Sequence, residues 1–252
     1  MSAEAREPIF RCLDCGASYG STYQPCCSRC MSIGAVVRVG IRPRAAITGA
    51  AAVVSARDVA KTQVRRITSR GYEELSLPLR CIALAHGMPG AGKTTFVLRW
   101  LDGIEGPVVF WSAEMGATPA FAETLQRCAI SRADFLVMAE GSLDDFAALI
   151  RARKCKAAAV DSMQRALLVG SDLRDVLNAC PTLEVLWGIS QMTKSGEARG
   201  PLSTAHEADV LVAVDALQWR IEKSRTQPVG LTGPVIADAA PRLRVIEGGI
   251  NE

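Results

Sequence analysis

A chain of 252 residues, 49% hydrophobic and 22% charged, holds enough apolar material for one full α/β domain and a small appendage. It has no apolar run of the ~20 residues that spanning a bilayer requires. Its opening, MSAEAREPIF, lacks the apolar centre of a signal peptide, so the expected compartment is the cytoplasm and no membrane partner is expected.

Nine cysteines are many for a reducing compartment, but five fall between Cys12 and Cys30, and clustering favours metal binding over a disulfide framework. Cys12 and Cys15 form one C-x-x-C pair, and Cys27 and Cys30 form a second after eleven intervening residues. Two such hairpins each present two thiolates to one ion and complete a tetrahedral zinc site; a redox C-x-x-C is the alternative. Cys26 offers a competing C-x3-C pairing with Cys30, and Cys27 is preferred because it keeps the two-residue spacing. With four thiolates the site is closed to substrate, hence structural or contact-forming. Residues 1–40 are expected to form this zinc-ribbon module, with Ile33 to Val39 as a closing strand.

Residues 41–65 read as a connector of Ala, Val, Arg and Gly, with a helix expected from Ser55, its cap, to Ile67. The net charge of +3 is uneven: residues 1–75 carry 11 Lys/Arg against 6 Asp/Glu. Between Arg29 and Arg70, nine basic residues accompany one acid, Asp58. Such a stretch suits a polyanion, nucleic acid first; a linker kept soluble by arginine is the alternative.

The remaining residues, 66–252, are expected to form one α/β domain. Leu79 to Ala85 (LRCIALA) has the continuous apolar character of a buried parallel strand. HGMPGAGKTTF follows, and Gly87 to Thr94 match the phosphate-binding loop G-x-x-x-x-G-K-[ST] at every fixed position. A helix is expected over Thr94 to Leu101. Strand, loop and helix surround one anionic pocket with backbone N–H groups, supplied by Gly87, Met88, Pro89, Gly90, Ala91, Gly92, Lys93, Thr94 and Thr95 (proline supplying only shape). Lys93 is expected to reach the terminal phosphates and the Thr94 hydroxyl to hold magnesium.

Strand and helix then alternate. The expected elements are strand Pro107–Ser112, helix Ala120–Ile130, strand Phe135–Met138, helix Ser142–Lys154 with a Ser142/Asp145 capping opening, and strand Ala157–Val160. A helix over Leu173–Cys180 and a strand over Glu184–Ser190 follow. Four closing strands are expected at Val210–Asp215, Leu217–Lys223, Pro234–Asp238 and Arg242–Ile246. This alternation implies a parallel sheet with helices on both faces, extended by antiparallel members.

Three polar residues sit at strand ends, where open α/β sheets bind ligands. Glu114 is placed to deprotonate or orient an attacking water, or is an exposed loop acid. Asp161 ends an apolar strand as a magnesium-holding aspartate does, or as a helix cap does. Gln191 is placed to sense a γ-phosphate, or is simply a strand-end amide.

From the cysteines to about Gly230 the chain resembles the RadA/Sms DNA-repair ATPases of the RecA/DnaB-like superfamily. VDSMQ (160–164) is similar to the family's I-D-S-[IV]-Q, and TKSGEARGPLSTAHEADVLV (193–212) is similar to T-K-x-G-x-x-[AG]-G-P-x-x-L-E-H-x-V-D-x-V-L. FWSAEMG (110–116), SQMTK (190–194) and EKSRTQPVG (222–230) resemble the DnaB-type core. The resemblance implies a RecA-like fold and ATP hydrolysis with ATP, Mg2+ and Zn2+ as cofactors. It also implies single-stranded DNA as partner, a six-membered ring, and other replication or recombination proteins nearby. Lys194 to Ser203 becomes the DNA-facing loop, with Lys194 and Arg199 meeting phosphates. Lys223 and Arg225, one residue apart, would share a face of a strand and reach a neighbouring subunit's γ-phosphate; an ordinary basic edge strand is the alternative. The family's K-N-R-F-G motif is replaced by Lys223-Ser224-Arg225-Thr226-Gln227. Its C-terminal protease-like domain is not expected, because few residues follow the last strand.

Overall fold

The run Cys81–Gly87 is buried along its whole length because it hydrogen-bonds a parallel neighbour on each side and is covered on both faces. The computed structural model describes residues 7–12, 36–42, 55–56, 63–191 and 202–236. Their elements in chain order are β1 (Glu7–Cys12), β2 (Val36–Arg42), β3 (Arg66–Ser69), β4 (Tyr72–Pro78), β5 (Cys81–Gly87), α1 (Lys93–Asp102), β6 (Val108–Ser112), α2 (Pro119–Arg127) and β7 (Phe135–Met138). There follow α3 (Leu143–Arg153), β8 (Ala157–Asp161), α4 (Gly170–Ala179), β9 (Val185–Gln191), α5 (Leu202–Glu207), β10 (Val210–Asp215), β11 (Gln218–Ser224) and β12 (Thr232–Pro234).

Eight strands form one sheet in the order β12-β11-β10-β5-β9-β8-β6-β7. The six from β10 to β7 pair in parallel, and β11 and β12 add an antiparallel edge. Side chains alternate across β5. Cys81, Ala83 and Ala85 pack with Phe96 and Trp100 of α1 and Phe121 of α2, whereas Ile82 and Leu84 pack with Phe146 of α3 and Leu173 of α4. The expected α/β architecture, a mostly parallel sheet with helices on both faces, is therefore present. The α1 face is an aromatic cluster: Phe96 meets Tyr72 at 5.6 Å and Trp187 at 5.5 Å between ring centroids, both edge-on, and Trp100 meets Trp187 at 5.4 Å. Each such pair contributes about 0.5–1.5 kcal/mol beyond the area it buries.

Helix ends follow local chemistry. Ser142 accepts from the Asp145 N–H at 3.2 Å while the Asp145 carboxylate accepts from the Ser142 N–H at 2.9 Å, so the expected capping box is formed and α3 starts one residue after its cap. Two arginines close helix C-termini, where carbonyls lack intrahelical partners. Arg80 donates to Leu177 O, to Cys180 O at 2.6 Å and to Leu183 O at 2.9 Å, behind α4. Arg132 donates to Asp102 O at 2.9 Å, to Ile104 O and Gly106 O, and pairs both Asp134 oxygens at 2.7 and 3.0 Å.

Several boundaries differ from expectation. The strand expected at Leu79–Ala85 is shifted to Cys81–Gly87, because Arg80 sits in a left-handed turn with φ 62°. Of the helix expected from Ser55 to Ile67, only Ala56 is helical among the described residues; Ile67 pairs with Leu77 in the unexpected hairpin β3–β4. Leu217 falls in a tight turn with Ala216, at φ 59° and 45°, so β11 begins at Gln218. The strand expected at Pro234–Asp238 is replaced by β12, which ends at Pro234. The strand expected at Arg242–Ile246 lies outside the described residues. β1 and β2 pair antiparallel; of the strand expected at Ile33–Val39, the described part, Val36 to Val39, belongs to β2, which continues to Arg42.

Cys81, Cys128, Cys155 and Cys180 are free thiols, each 2% exposed or less. Burial pushes all four thiols up, Cys155 to about 11. Among the described residues no helix is long and apolar enough to cross a membrane.

Candidate functional site

The glycine loop links β5 to α1, and two of its glycines are dictated by close approach. A Cβ on Gly87 would lie 2.1 Å from the Val214 carbonyl oxygen of β10. Gly92 stands before α1 at φ +99°, where a Cβ would meet the Leu217 side chain at 2.9 Å. No side chain caps α1, so its first N–H groups face the loop. Lys93, 7% exposed, donates to Gly87 O at 2.9 Å and Met88 O at 2.7 Å. The loop is thus folded onto its own lysine. Burial lowers the Lys93 pKa, and the Asp161 and Glu114 carboxylates oppose that shift.

Thr94 Oγ1 donates to Asp161 Oδ2 at 2.6 Å, joining the first turn of α1 to the last residue of β8. Asp161 is 5% exposed, and burial raises its carboxyl to about 6 despite the Thr94 hydrogen bond and Lys93, with Glu114 adding to the rise. Two hard oxygen donors converge here at the foot of the loop. That donor set suits a small divalent cation, which would gather further ligands from water and a phosphate.

Glu114, two residues beyond β6, donates its N–H to Asp161 O at 2.9 Å. Gln191 closes β9, and its Nε2 donates to both Glu114 carboxylate oxygens, at 2.9 and 3.1 Å. Strands β9, β8 and β6 are neighbours, so Gln191, Asp161 and Glu114 share one end of the sheet. Glu114 and Gln191 border an open cleft of about 370 Å³, lined also by Ser162, Gln164 and Arg165. Ser162, joined to Asp161 by a cis peptide, is 1% exposed, and its hydroxyl has no hydrogen-bond partner among the described residues. Gln164 Nε2 donates to Ser190 Oγ at 2.7 Å and ties this turn to β9.

The paired basic residues are arranged otherwise than the sequence suggests. Strand β11 ends at Ser224, so alternation along a strand does not carry Arg225 onto the face of Lys223. Lys223 Nζ donates to Ala205 O at 2.8 Å and His206 O at 3.0 Å, at the end of α5. Arg225 is exposed, its Nε 4.0 Å from Asp209 Oδ1. Lys194 and Arg199 lie outside the described residues. So do the side chain of Cys12, in β1, and residues Cys15, Cys27 and Cys30. Among the described residues no group of three or more His, Cys, Asp or Glu side chains is arranged to hold a metal.

Two features escaped sequence reasoning. His86 Nε2, at the end of β5, lies 2.9 Å from Glu222 Oε2. A bulge between Leu211 and Val212 leaves Glu222 unpaired in the ladder, and small Ala213 lies between the two strands, opposite His86. Burial lowers the His86 pKa while Glu222 opposes it. Arg165 is the second: nothing in its sequence neighbourhood marks it except its place directly after VDSMQ. Compared with protein-family models and with curated proteins, the chain matches none.

Proposed function

We propose that the chain is a RecA-like nucleoside triphosphatase, akin in plan to RadA/Sms, that hydrolyses ATP and works on single-stranded DNA in repair, recombination or replication. The observation that carries this reading is the 2.6 Å contact between Thr94 and Asp161 beneath a glycine loop closed around Lys93. The strand order supports it too, since β9 lies between β5 and β8 and so sets Gln191 between the loop and the aspartate. In this reading Lys93 exchanges its two carbonyl partners for the β- and γ-phosphate oxygens, and the N–H groups opening α1 hold the same anion. Thr94 and Asp161 would hold magnesium, which supplies charge neutralisation at the phosphates. Glu114 accepts a proton from the attacking water, and Gln191 leaves Glu114 to bond the γ-phosphate. ATP as the nucleotide, DNA at Lys194 to Ser203, and a ring of six with Lys223 and Arg225 acting across subunits rest on the resemblance; a polyanion along the basic connector rests on its charge, and a four-cysteine zinc ribbon on the cysteine spacing.

The test is ATP hydrolysis with and without single-stranded DNA. The parent chain is expected to turn over faster with DNA, and Lys93→Ala is expected to lose at least about a hundredfold, the cost of removing a phosphate-clamping cation. Absence of any stimulation by nucleic acid removes the DNA half of the reading. A second reading, a nucleotide-switched mediator or helicase loader with slow turnover, is favoured by two contacts. Gln191 occupies Glu114, and α5 carbonyls occupy Lys223. Tight ATP-dependent DNA binding with negligible turnover and no strand displacement distinguishes it.

A further inference from the structure

In the ligand-free fold Glu114 holds the Gln191 amide, so the reach of that amide is set by the strand end that carries it. Strand β9 outruns one of its neighbours there. Its pairing with β8 stops at Ile189, opposite Asp161, whereas its pairing with β5 continues through Ser190 and Gln191 to His86 and Gly87. The turn after β8 stands in for the missing partner. Met163 donates its N–H to Ile189 O at 3.0 Å, and the next residue, Gln164, donates from Nε2 to Ser190 Oγ at 2.7 Å. The turn is itself closed by backbone bonds, from Ala166 N–H to Ser162 O at 3.0 Å and from Leu168 N–H to Met163 O at 2.9 Å.

Alternation along β9 sets Val185, Trp187 and Ile189 on the α1 face and Leu186 on the α3 and α4 face. By the same alternation Ser190 and Gln191 lie on opposite faces, so the bond to Ser190 braces the strand from behind and leaves the Gln191 amide able to change partner. A circuit of hydrogen bonds results. Asp161 O accepts from the Glu114 N–H, the Glu114 carboxylate accepts from Gln191, and Ser190 accepts from Gln164, which the turn joins back to Asp161. Resting on the hydrolytic reading, we infer that Gln164 and Ser190 are positioning residues, a brace that holds the root of Gln191 within reach of both Glu114 and the γ-phosphate. They act through Gln191. A displacement of about 1 Å at the reacting end costs up to about a hundredfold in rate, so the brace bears on the γ-phosphate. The diphosphate part is held elsewhere, by Lys93 and the first N–H groups of α1.

The experiment measures ATP hydrolysis, and calorimetric affinity for Mg-ADP and for a non-hydrolysable ATP analogue, in the full chain. The variants are Gln164→Leu, Ser190→Ala, Ser190→Thr, Gln191→Ala and the pairs Gln164→Leu/Ser190→Ala and Gln164→Leu/Gln191→Ala. Gln164→Leu and Ser190→Ala are each expected to lower kcat about tenfold and analogue affinity about threefold at unchanged Mg-ADP affinity. Ser190→Thr, which keeps the hydroxyl, is expected to restore most of both. Each pair is expected to lose no more than its worse single variant, because the residues form one unit. With slow turnover, the ratio of analogue to ADP affinity makes the same comparison. A kcat and affinity ratio equal to the parent's in both Gln164→Leu and Ser190→Ala overturn the inference, as do losses that multiply in either pair. An equal loss of Mg-ADP affinity also overturns it, and assigns the bond to the general stability of the fold. A parent that binds no Mg-ADP at all refutes the nucleotide site itself, a result separate from the others.

Discussion

Asp161 carries a cost that the ligand-free fold bears for its site. Its carboxyl is raised by burial from 3.8 to about 6, so the folded chain holds that proton more tightly than the unfolded chain does. The sign follows from linkage. The stabilisation from this group is present below about pH 4 and is lost as pH rises to about 6, because the carboxylate must then ionise in a buried place. Asp161→Asn in metal-free buffer is therefore expected to be more stable than the parent at pH 7.5, by roughly 1–3 kcal/mol. Near pH 4 that gain should vanish. Urea unfolding with chelator at the two pH values measures it, and equal stability at pH 7.5 counts against the burial argument. The same substitution is expected to abolish magnesium-dependent hydrolysis, so stability and activity move in opposite directions at one residue.

At the scale of elements, caps decide where helices end. Replacing Ser142 by alanine removes one half of the capping box and is expected to cost about 1 kcal/mol. Arg132→Ala is expected to cost more, about 2–4 kcal/mol, since it strands three carbonyls and one carboxylate behind α1. Thermal unfolding of the pair ranks them, and a smaller loss for Arg132→Ala would reverse the ranking. These two residues also mark what the sequence could reveal. Ser142 was legible because a capping box is local, with partners three residues apart. Arg132 was not, because its carbonyls lie 26 to 30 residues upstream and nothing near it signals them. Strands β7 and β10 were legible to the residue, each an apolar run directly after an aspartate, Asp134 or Asp209. Hairpin β3–β4 was hidden: β3 has four residues, one of them apolar, and its first two fall at the end of the helix expected from Ser55. Its reason to exist is tertiary, with Ser69 Oγ donating to Trp100 O at 2.6 Å and Leu75 and Leu77 fully buried.

For the whole molecule, the residues of the site were readable one by one and their meeting was not. Motif spacing marks Lys93, Glu114, Asp161 and Gln191, yet their convergence depends on β5, β9, β8 and β6 lying side by side, an order no local pattern encodes. The His86–Glu222 pair shows the same limit, since it requires a bulge in β11 and a small residue between two strands. Four thiols buried beneath the sheet and helices have a practical consequence. Held protonated and shielded from solvent, they are silent toward a colourless-to-yellow disulfide reagent while the chain stays folded. Such a reagent therefore counts the N-terminal sulfurs alone: about one fast equivalent is expected if a zinc ion guards four of those five, and five after chelation. Five fast equivalents before any chelator would mean that these cysteines hold no ion, and the same trace would report it without touching the nucleotide chemistry.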